Sequence, residues 1–409
     1  MRPFGILIAL AGIAVALSGC DTGDEPPIGS ETPSTSSLPS PASPSESLQP
    51  VATPEFLGTV RDMTESGLYV LELATGSLWR IDHSYGASGA WSPDGSFFVR
   101  FGQGQQDADV VDLATGSARR VFSGDFWHFS WAPDGSHLAF STGDGLITVR
   151  GDGTDLRLLA PVDGRAGMGW SPRGDLIASA GRYAVRITEV STGETRVVSP
   201  EVGADDLLGF TLWLPDGNRL LFCSSQATDA KLSGLSPGAY IYDLASQSTR
   251  KLADNCGVSL SSDGRSYTYS DSTGIFTANI DDSQTPHLLA PGGASGAWSP
   301  DGTWFAFGKD ACLTGDNDIY AVRANDGEMV SLTESPNVLK ESAGWSPVAN
   351  LIAYSALLED SQSLLLLDAD TMELRTLLTS ARDFHIHGPR WSPDGRYISF
   401  SGGGGHGAC

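Results

Sequence analysis

The chain has 409 residues, with 49 acidic against 25 basic side chains and a net charge of −24. A surface so acidic excludes nucleic acid and anionic lipid as natural partners. In chain order, the first feature is an apolar run from Phe4 to Leu17, preceded by Arg2 and followed by Leu17-Ser18-Gly19-Cys20. The run is too short to cross a bilayer and has the length of the hydrophobic region of an export signal.

Leu-Ser-Gly-Cys resembles the lipobox of bacterial lipoproteins. That resemblance implies that residues 1–19 are a signal peptide, that Cys20 carries the acyl chains and becomes the mature N-terminus, and that the rest of the chain is exported and held at the cell membrane. Buried methylenes contribute about 0.8 kcal/mol each, so two or three acyl chains anchor firmly. Residues 20–55 are dominated by Pro, Ser and Thr, with no aromatic residue before Phe56. Such a stretch cannot bury a core and is expected to be a disordered tether, reaching about 30 Å as a coil and about 110 Å at full extension.

From residue 56 to 409 the governing feature is an internal repeat. A Trp-Ser-Pro-Asp-Gly element occurs at Trp91–Gly95, Trp131–Gly135, Trp170–Gly174, Trp213–Gly217, Trp298–Gly302, Trp345–Ala349 and Trp391–Gly395, with a degenerate copy at Leu260–Gly264. The mean period is about 43 residues, within the range of propeller blades. An apolar run follows most elements, as at Phe97–Phe101, Leu138–Phe140 and Trp304–Phe307. Proline presets the first corner, Asp accepts from a nearby backbone N–H, and Gly takes the left-handed conformation, so each element predicts a tight hairpin. The tryptophan is expected to fill the wedge between stacked sheets.

A second series alternates with the first. Strands such as Leu68–Leu73, Asp109–Leu113, Ala184–Val190, Tyr240–Leu244, Ile319–Val322 and Leu364–Leu367 end in turns of the type Ala74-Thr75-Gly76, Ala114-Thr115-Gly116 and Ser191-Thr192-Gly193. The first turn in the chain belongs to the second series and the last belongs to the first. The chain therefore enters and leaves half-way through a blade, and residues 391–401 are expected to supply inner strands to the blade whose outer strands lie in 68–82. This closes the ring and leaves no free sheet edge. The expected fold is all-β: a propeller of eight four-stranded blades, or seven if the unit near Leu260 merges with a neighbour.

The repeat resembles that of the TolB-like, WD-repeat-like propellers. In that family the propeller serves as a protein-binding platform of the periplasm, and it also stands beside the hydrolase domain of prolyl oligopeptidase-like enzymes. Two departures are plain: TolB has six blades, and an α/β domain where this chain has its tether.

Few residues point to chemistry. Gly234-Leu-Ser236-Pro-Gly238 has the outline of a nucleophile elbow but lies between strands with no helix to follow, the wrong context for a hydrolase. His385 and His387 share one face of a strand before Trp391, and His128 holds a related inner position before Trp131. They are the metal-ligand candidates, with hydrogen-bonded channel histidines as the competing expectation. Asp316-Asn-Asp318 and Gly151-Asp-Gly-Thr-Asp155 lack the full ligand set of a calcium loop and are expected to be turns. No cofactor is expected. Besides Cys20, an even set of cysteines remains, Cys223, Cys256, Cys312 and Cys409. In an exported chain these allow two disulfides, Cys223 with Cys256 and, less directly, Cys312 with Cys409.

In a propeller the turns of both series lie on one face and the remaining connections on the other. Here the variable lengths fall on that second face, in 200–208, 226–238, 309–318, 333–343, 357–363 and 380–389. Its acidic residues Asp205, Asp206, Asp310, Asp316, Asp318, Glu341, Asp360 and Asp383 form the candidate binding face. The expected function is a monomeric, non-enzymatic, membrane-tethered binding platform of the cell envelope, whose partner is an envelope protein or a cell-wall component. The alternative is a small-molecule or metal site in the central channel, of a sensor or a lactonase-like hydrolase.

Overall fold

A computed structural model describes residues 55–57, 63 and 65–404, apart from 84–87, 102–105, 162–166, 182–183, 200–206, 226–235, 282–285, 293–295, 309–317, 334–338, 358–360 and 382. Every regular element among them is a β-strand. In chain order the strands group as follows. The first three are β1 (Glu55–Leu57), β2 (Gly67–Glu72) and β3 (Leu78–Asp82); then come β4 (Ser88–Trp91), β5 (Phe97–Phe101), β6 (Gln106–Asp112) and β7 (Ala118–Trp131), followed by β8 (His137–Thr142), β9 (Gly145–Arg150) and β10 (Arg157–Ala160). Next are β11 (Gly167–Trp170), β12 (Leu176–Ala180), β13 (Val185–Glu189) and β14 (Thr195–Val197), then β15 (Leu207–Trp213), β16 (Arg219–Ser225), β17 (Gly238–Asp243) and β18 (Ser248–Ala253). They continue with β19 (Val258–Leu260), β20 (Ser266–Ser270), β21 (Gly274–Asn279) and β22 (His287–Pro291), and with β23 (Gly296–Trp298), β24 (Trp304–Gly308), β25 (Ile319–Arg323) and β26 (Met329–Ser331). Last are β27 (Leu339–Trp345), β28 (Leu351–Leu357), β29 (Ser361–Asp368), β30 (Leu374–Ala381), β31 (Phe384–Trp391) and β32 (Tyr397–Gly404).

Hydrogen bonding joins these into five antiparallel four-stranded sheets, one seven-stranded sheet from β4 to β10, and one five-stranded sheet ordered β1-β3-β2-β32-β31. The seven-stranded sheet is two four-stranded units sharing β7, whose N-terminal half pairs with β6 and whose C-terminal half pairs with β8. The described strands thus form eight units. In the closing unit β2 pairs with β32 from Gly67↔Gly402 to Glu72↔Tyr397, which joins the two ends of the repeat region without a covalent bond. Two details differ from the sequence expectation. The C-terminal contribution is 384–404 rather than 391–401, because the inner strand is the segment before Trp391. The closing unit also carries a fifth, outermost strand, β1, lying against β3.

The core lies between sheets rather than within one body. Eight buried apolar clusters each join two successive units, and together they run round the ring. For example, Val185 and Ile187 meet Leu220 and Phe222, Ala306 and Ile319 meet Ile352 and Tyr354, and Leu364 and Leu366 meet Tyr69, Ile386 and Phe400 across the seam with the closing unit. Each fully buried side chain of this size contributes about 1.5–3 kcal/mol. The fold is an eight-unit β-propeller.

The repeated tryptophans do more than fill the wedge. The indole N–H of Trp170 donates to Ser130 O at 3.1 Å, that of Trp213 to Gly169 O at 3.0 Å, that of Trp345 to Ala297 O at 3.0 Å and that of Trp391 to Gly344 O at 3.0 Å. In each case the acceptor is the residue just before the preceding unit's tryptophan. The indoles therefore clamp neighbouring inner strands together. Leu260 has no such donor, and Trp298, which follows its unit, is left with a buried indole nitrogen lacking a partner, as is Trp131.

Candidate binding site

The two faces of the ring differ in how they satisfy their polar groups. On the turn face, the serine of the repeat is buried, as at Ser92, Ser171, Ser299 and Ser392. Ser92 Oγ accepts from Phe97 N at 2.9 Å and donates to Asp94 Oδ1 at 2.6 Å, and Asp94 Oδ1 accepts in turn from Ser96 N at 3.1 Å. Gly95 closes the turn with φ 72°, a left-handed value that a side chain resists. The same set recurs at Ser261, Asp263 and Ser266, which is why the degenerate copy at Leu260 still makes a complete unit. Desolvation raises the pKa of Asp94, Asp301 and Asp394, but the serine hydroxyls and backbone N–H groups outweigh it and hold all three below the usual aspartate value. This face has little left to offer a ligand. Its carboxylates are engaged within the turns, as Asp94, Asp301 and Asp394 show.

On the loop face, Asp318 precedes β25, is half-buried and accepts from Thr333 Oγ1 at 2.9 Å. Asp383 precedes β31 and is exposed, with no hydrogen-bond or ion-pair partner among the described residues. Asp205, Asp206, Asp310, Asp316, Asp360 and the side chain of Glu341 lie outside the described residues, as do Cys20, Cys312 and Cys409. Two acidic groups not picked out from the sequence also stand here: Asp254, in an exposed pair with Lys251 at 2.7 Å, and Asp271, in the turn between β20 and β21. Cys223, at the loop end of β16, forms a disulfide with Cys256, in the connection from β18 to β19, with Cα atoms 5.4 Å apart. It ties this edge of the unit to the start of the next.

The innermost strands, β4, the C-terminal half of β7, β11, β15, β19, β23, β27 and β31, surround the channel. His385 and His387 stack on β31 with ring centroids 5.5 Å apart and planes 8° apart. His128 keeps contact with solvent although protein surrounds it, and this desolvation lowers its pKa from the ordinary histidine value. No group of three or more His, Cys, Asp or Glu side chains is arranged to hold a metal ion among the described residues. The structure adds Arg390 to this strand, a residue the sequence reading passed over. It too is solvent-exposed yet desolvated by surrounding protein, which lowers its pKa.

The remaining motifs resolve into structure. Ser236 is exposed; its Oγ accepts from Lys251 Nζ at 2.9 Å, and Tyr240 OH donates to its carbonyl at 2.6 Å. Lys251 is shared with Asp254 at 2.7 Å, and no helix follows the serine as a nucleophile elbow requires. Asp152 accepts from Thr154 N at 2.9 Å and Asp155 lies 4.0 Å from Arg150 Nε, a turn with its ion pair. A cleft of about 370 Å³ opens on the turn face at the seam, between Leu351, Leu366 and Leu377 of one unit and Leu73, Ala74 and Gly395 of the closing unit. Arg396, at its rim, is held by Asp394.

No protein-family model matches the chain, and no curated protein matches it. Similar solved structures include the dihydro-heme d1 dehydrogenase NirN, with a TM-score of 0.55 and 14% identity over 80% of this chain and 76% of that one. The dipeptidyl peptidase 4 of Porphyromonas gingivalis gives 0.52 and 13%, over 75% of this chain, which spans 56% of that enzyme. TolB of Acinetobacter baumannii, at 18% identity, gives a TM-score of 0.35 over 77% of this chain and 78% of that one. The first two superpositions bear on the fold alone, and the class they and the strand order define is the β-propeller.

Proposed function

We propose that this protein is a non-enzymatic binding platform of a bacterial cell envelope, anchored through Cys20, lifted from the membrane by residues 20–55, and presenting the loop face of its propeller to another envelope protein or to a cell-wall component. The observation that carries the proposal is the contrast between the two faces. The turn face repeats one hairpin eight times with short turns, and in four of them, at Ser92, Ser261, Ser299 and Ser392, the buried serine and the aspartate two residues on satisfy each other. The loop face gathers the connections that differ, 226–237, 309–318, 334–338 and 358–360, on the edges of rigid strands, where binding specificity is usually grafted. The Cys223–Cys256 disulfide fits an oxidising compartment. The resemblance of the repeat to the TolB-like pattern supports a protein-binding role.

The test is capture from envelope extracts by the full chain, compared with Asp254→Lys/Asp383→Lys on the loop face and Thr115→Lys/Thr192→Lys on the turn face. A partner retained by the turn-face variant and lost by the loop-face variant supports the proposal. The reverse pattern, or capture indifferent to both, refutes it.

A further inference from the structure

The face of the closing unit that is turned toward β4 carries His385, His387 and Arg390. Directly paired residues of an antiparallel ladder project to the same side, and Arg390 pairs with Ser399. Ser399 Oγ accepts from the indole N–H of Trp91, the last residue of β4, at 3.2 Å, and itself lies 3.4 Å from Arg390 O. Phe384 and Ile386, by contrast, pack away from this side, among Leu364 and Leu366. Among the described residues of β4 before its tryptophan, Gly89 and Ala90 are small and uncharged.

Arg390 breaks the repeat at this position. The residue before the tryptophan, or before Leu260, is Ala90, Ser130, Gly169, Leu212, Ser259, Ala297 and Gly344 in the other seven units. Only the closing unit places a charge there. A β-bulge between His387 and Arg390, with Gly388 at φ 58°, separates the arginine from the two histidines, and bulges re-aim side chains next to sites. Most enclosed or half-enclosed arginines here have a carboxylate: Arg80 has Glu65, Arg100 has Asp82 and Asp109, Arg120 has Asp107 and Asp109, and Arg219 has Asp216 and Asp281. Arg390, by contrast, is exposed on the innermost strand and has no ion-pair partner among the described residues. A water-accessible guanidinium with no carboxylate of the described residues paired to it is open to an anion, and its fork matches carboxylate and phosphate oxygens.

We propose that Arg390, on the same face of β31 as His385 and His387, forms a binding site in the channel for a small ligand bearing an oxyanion, a carboxylate or a phosphate. The site does not depend on the platform reading: it lies on the innermost strand, and a ligand there leaves the loop-face connections free.

Calorimetric titration of the full chain with sodium phosphate and, separately, with citrate distinguishes the two anions. The expected result is saturable binding of one of them, weakened about tenfold or more in Arg390→Gln, as removal of a charge-assisted hydrogen bond implies, and largely kept in Arg390→Lys. Phenylglyoxal labelling of the unmutated chain, read by peptide mass spectrometry, gives a test without substitution: the same anion slows modification of Arg390 and leaves that of exposed Arg375 unchanged. Absence of saturable binding to either anion, binding indifferent to Arg390→Gln in a folded variant, or labelling of Arg390 unaffected by both anions overturns the proposal.

Discussion

Replacing Trp345 and Trp298 separately by phenylalanine isolates the indole clamp, because the two tryptophans differ in one respect. Trp345 donates to Ala297 O at 3.0 Å; Trp298 has a buried indole nitrogen with no partner. Both substitutions remove the same ring atoms from an inter-unit wedge, at a cost of about 1–2 kcal/mol in lost burial and residual cavity. Trp345→Phe also deprives a backbone carbonyl of its donor, about 1–2 kcal/mol more, whereas Trp298→Phe deletes an unsatisfied polar atom and recovers part of the loss. The expected destabilisation is therefore about 2–4 kcal/mol for Trp345→Phe and about 0–1.5 kcal/mol for Trp298→Phe. Urea unfolding followed by circular dichroism measures both, and equal m values confirm that the same surface is exposed in each case. Equal losses, or a larger loss at Trp298, would refute the clamp as a source of stability.

Three further outcomes follow from the same geometry. Ser299→Ala removes the acceptor of Trp304 N and the donor to Asp301, so it should destabilise by about 1–3 kcal/mol, against less than about 0.5 kcal/mol for exposed Ser272→Ala; urea midpoints decide. Asp94, Asp301 and Asp394 are held below the usual aspartate pKa in the folded state. Their stabilising contribution is therefore complete above the unfolded carboxylate value and lost as pH falls through the folded one. The melting temperature should drop below about pH 4, less steeply in Asp394→Asn, and a flat acid limb would contradict this. The Cys223–Cys256 bridge spans a sequence separation of 33, for which chain entropy gives about 3–4 kcal/mol; a reductant should lower the melting temperature of the wild type and leave Cys223→Ser/Cys256→Ser unchanged.

The ring was legible because its turns are written in residues that have little freedom elsewhere. Serine, aspartate and left-handed glycine recur wherever the hairpin needs a buried hydroxyl, a carboxylate acceptor and a positive φ, and Ser261, Asp263 and Gly264 carried that signal even where Leu260 replaced tryptophan. The alternation of the two turn series also foretold which ends of the chain meet in one sheet. Strand β1 was hidden because three residues at the end of a Pro/Ser/Thr-rich stretch have no pattern of their own and are defined only by pairing with β3. The strand before Trp391 was legible in His385 and His387, whereas its bulge at Gly388-Pro389 was not, because a register shift is defined only by the pairing with β32. Arg390 was overlooked for a related reason. One arginine before a repeat tryptophan means nothing until the eight units are aligned and the other seven are found to be small or apolar. Of the acidic residues expected on the loop face, Asp318 and Asp383 are described with their side chains, and sequence alone could not tell that Asp318 is engaged by Thr333 while Asp383 is exposed.

The most direct test of a platform that binds through one face is site-specific photocrosslinking of the full chain in living cells, with the crosslinking residue placed at Asp383 on the loop face or at Thr115 in the turn between β6 and β7. A discrete adduct at Asp383 and none at Thr115 is the predicted result. Adducts confined to Thr115, or none at either position, would contradict it.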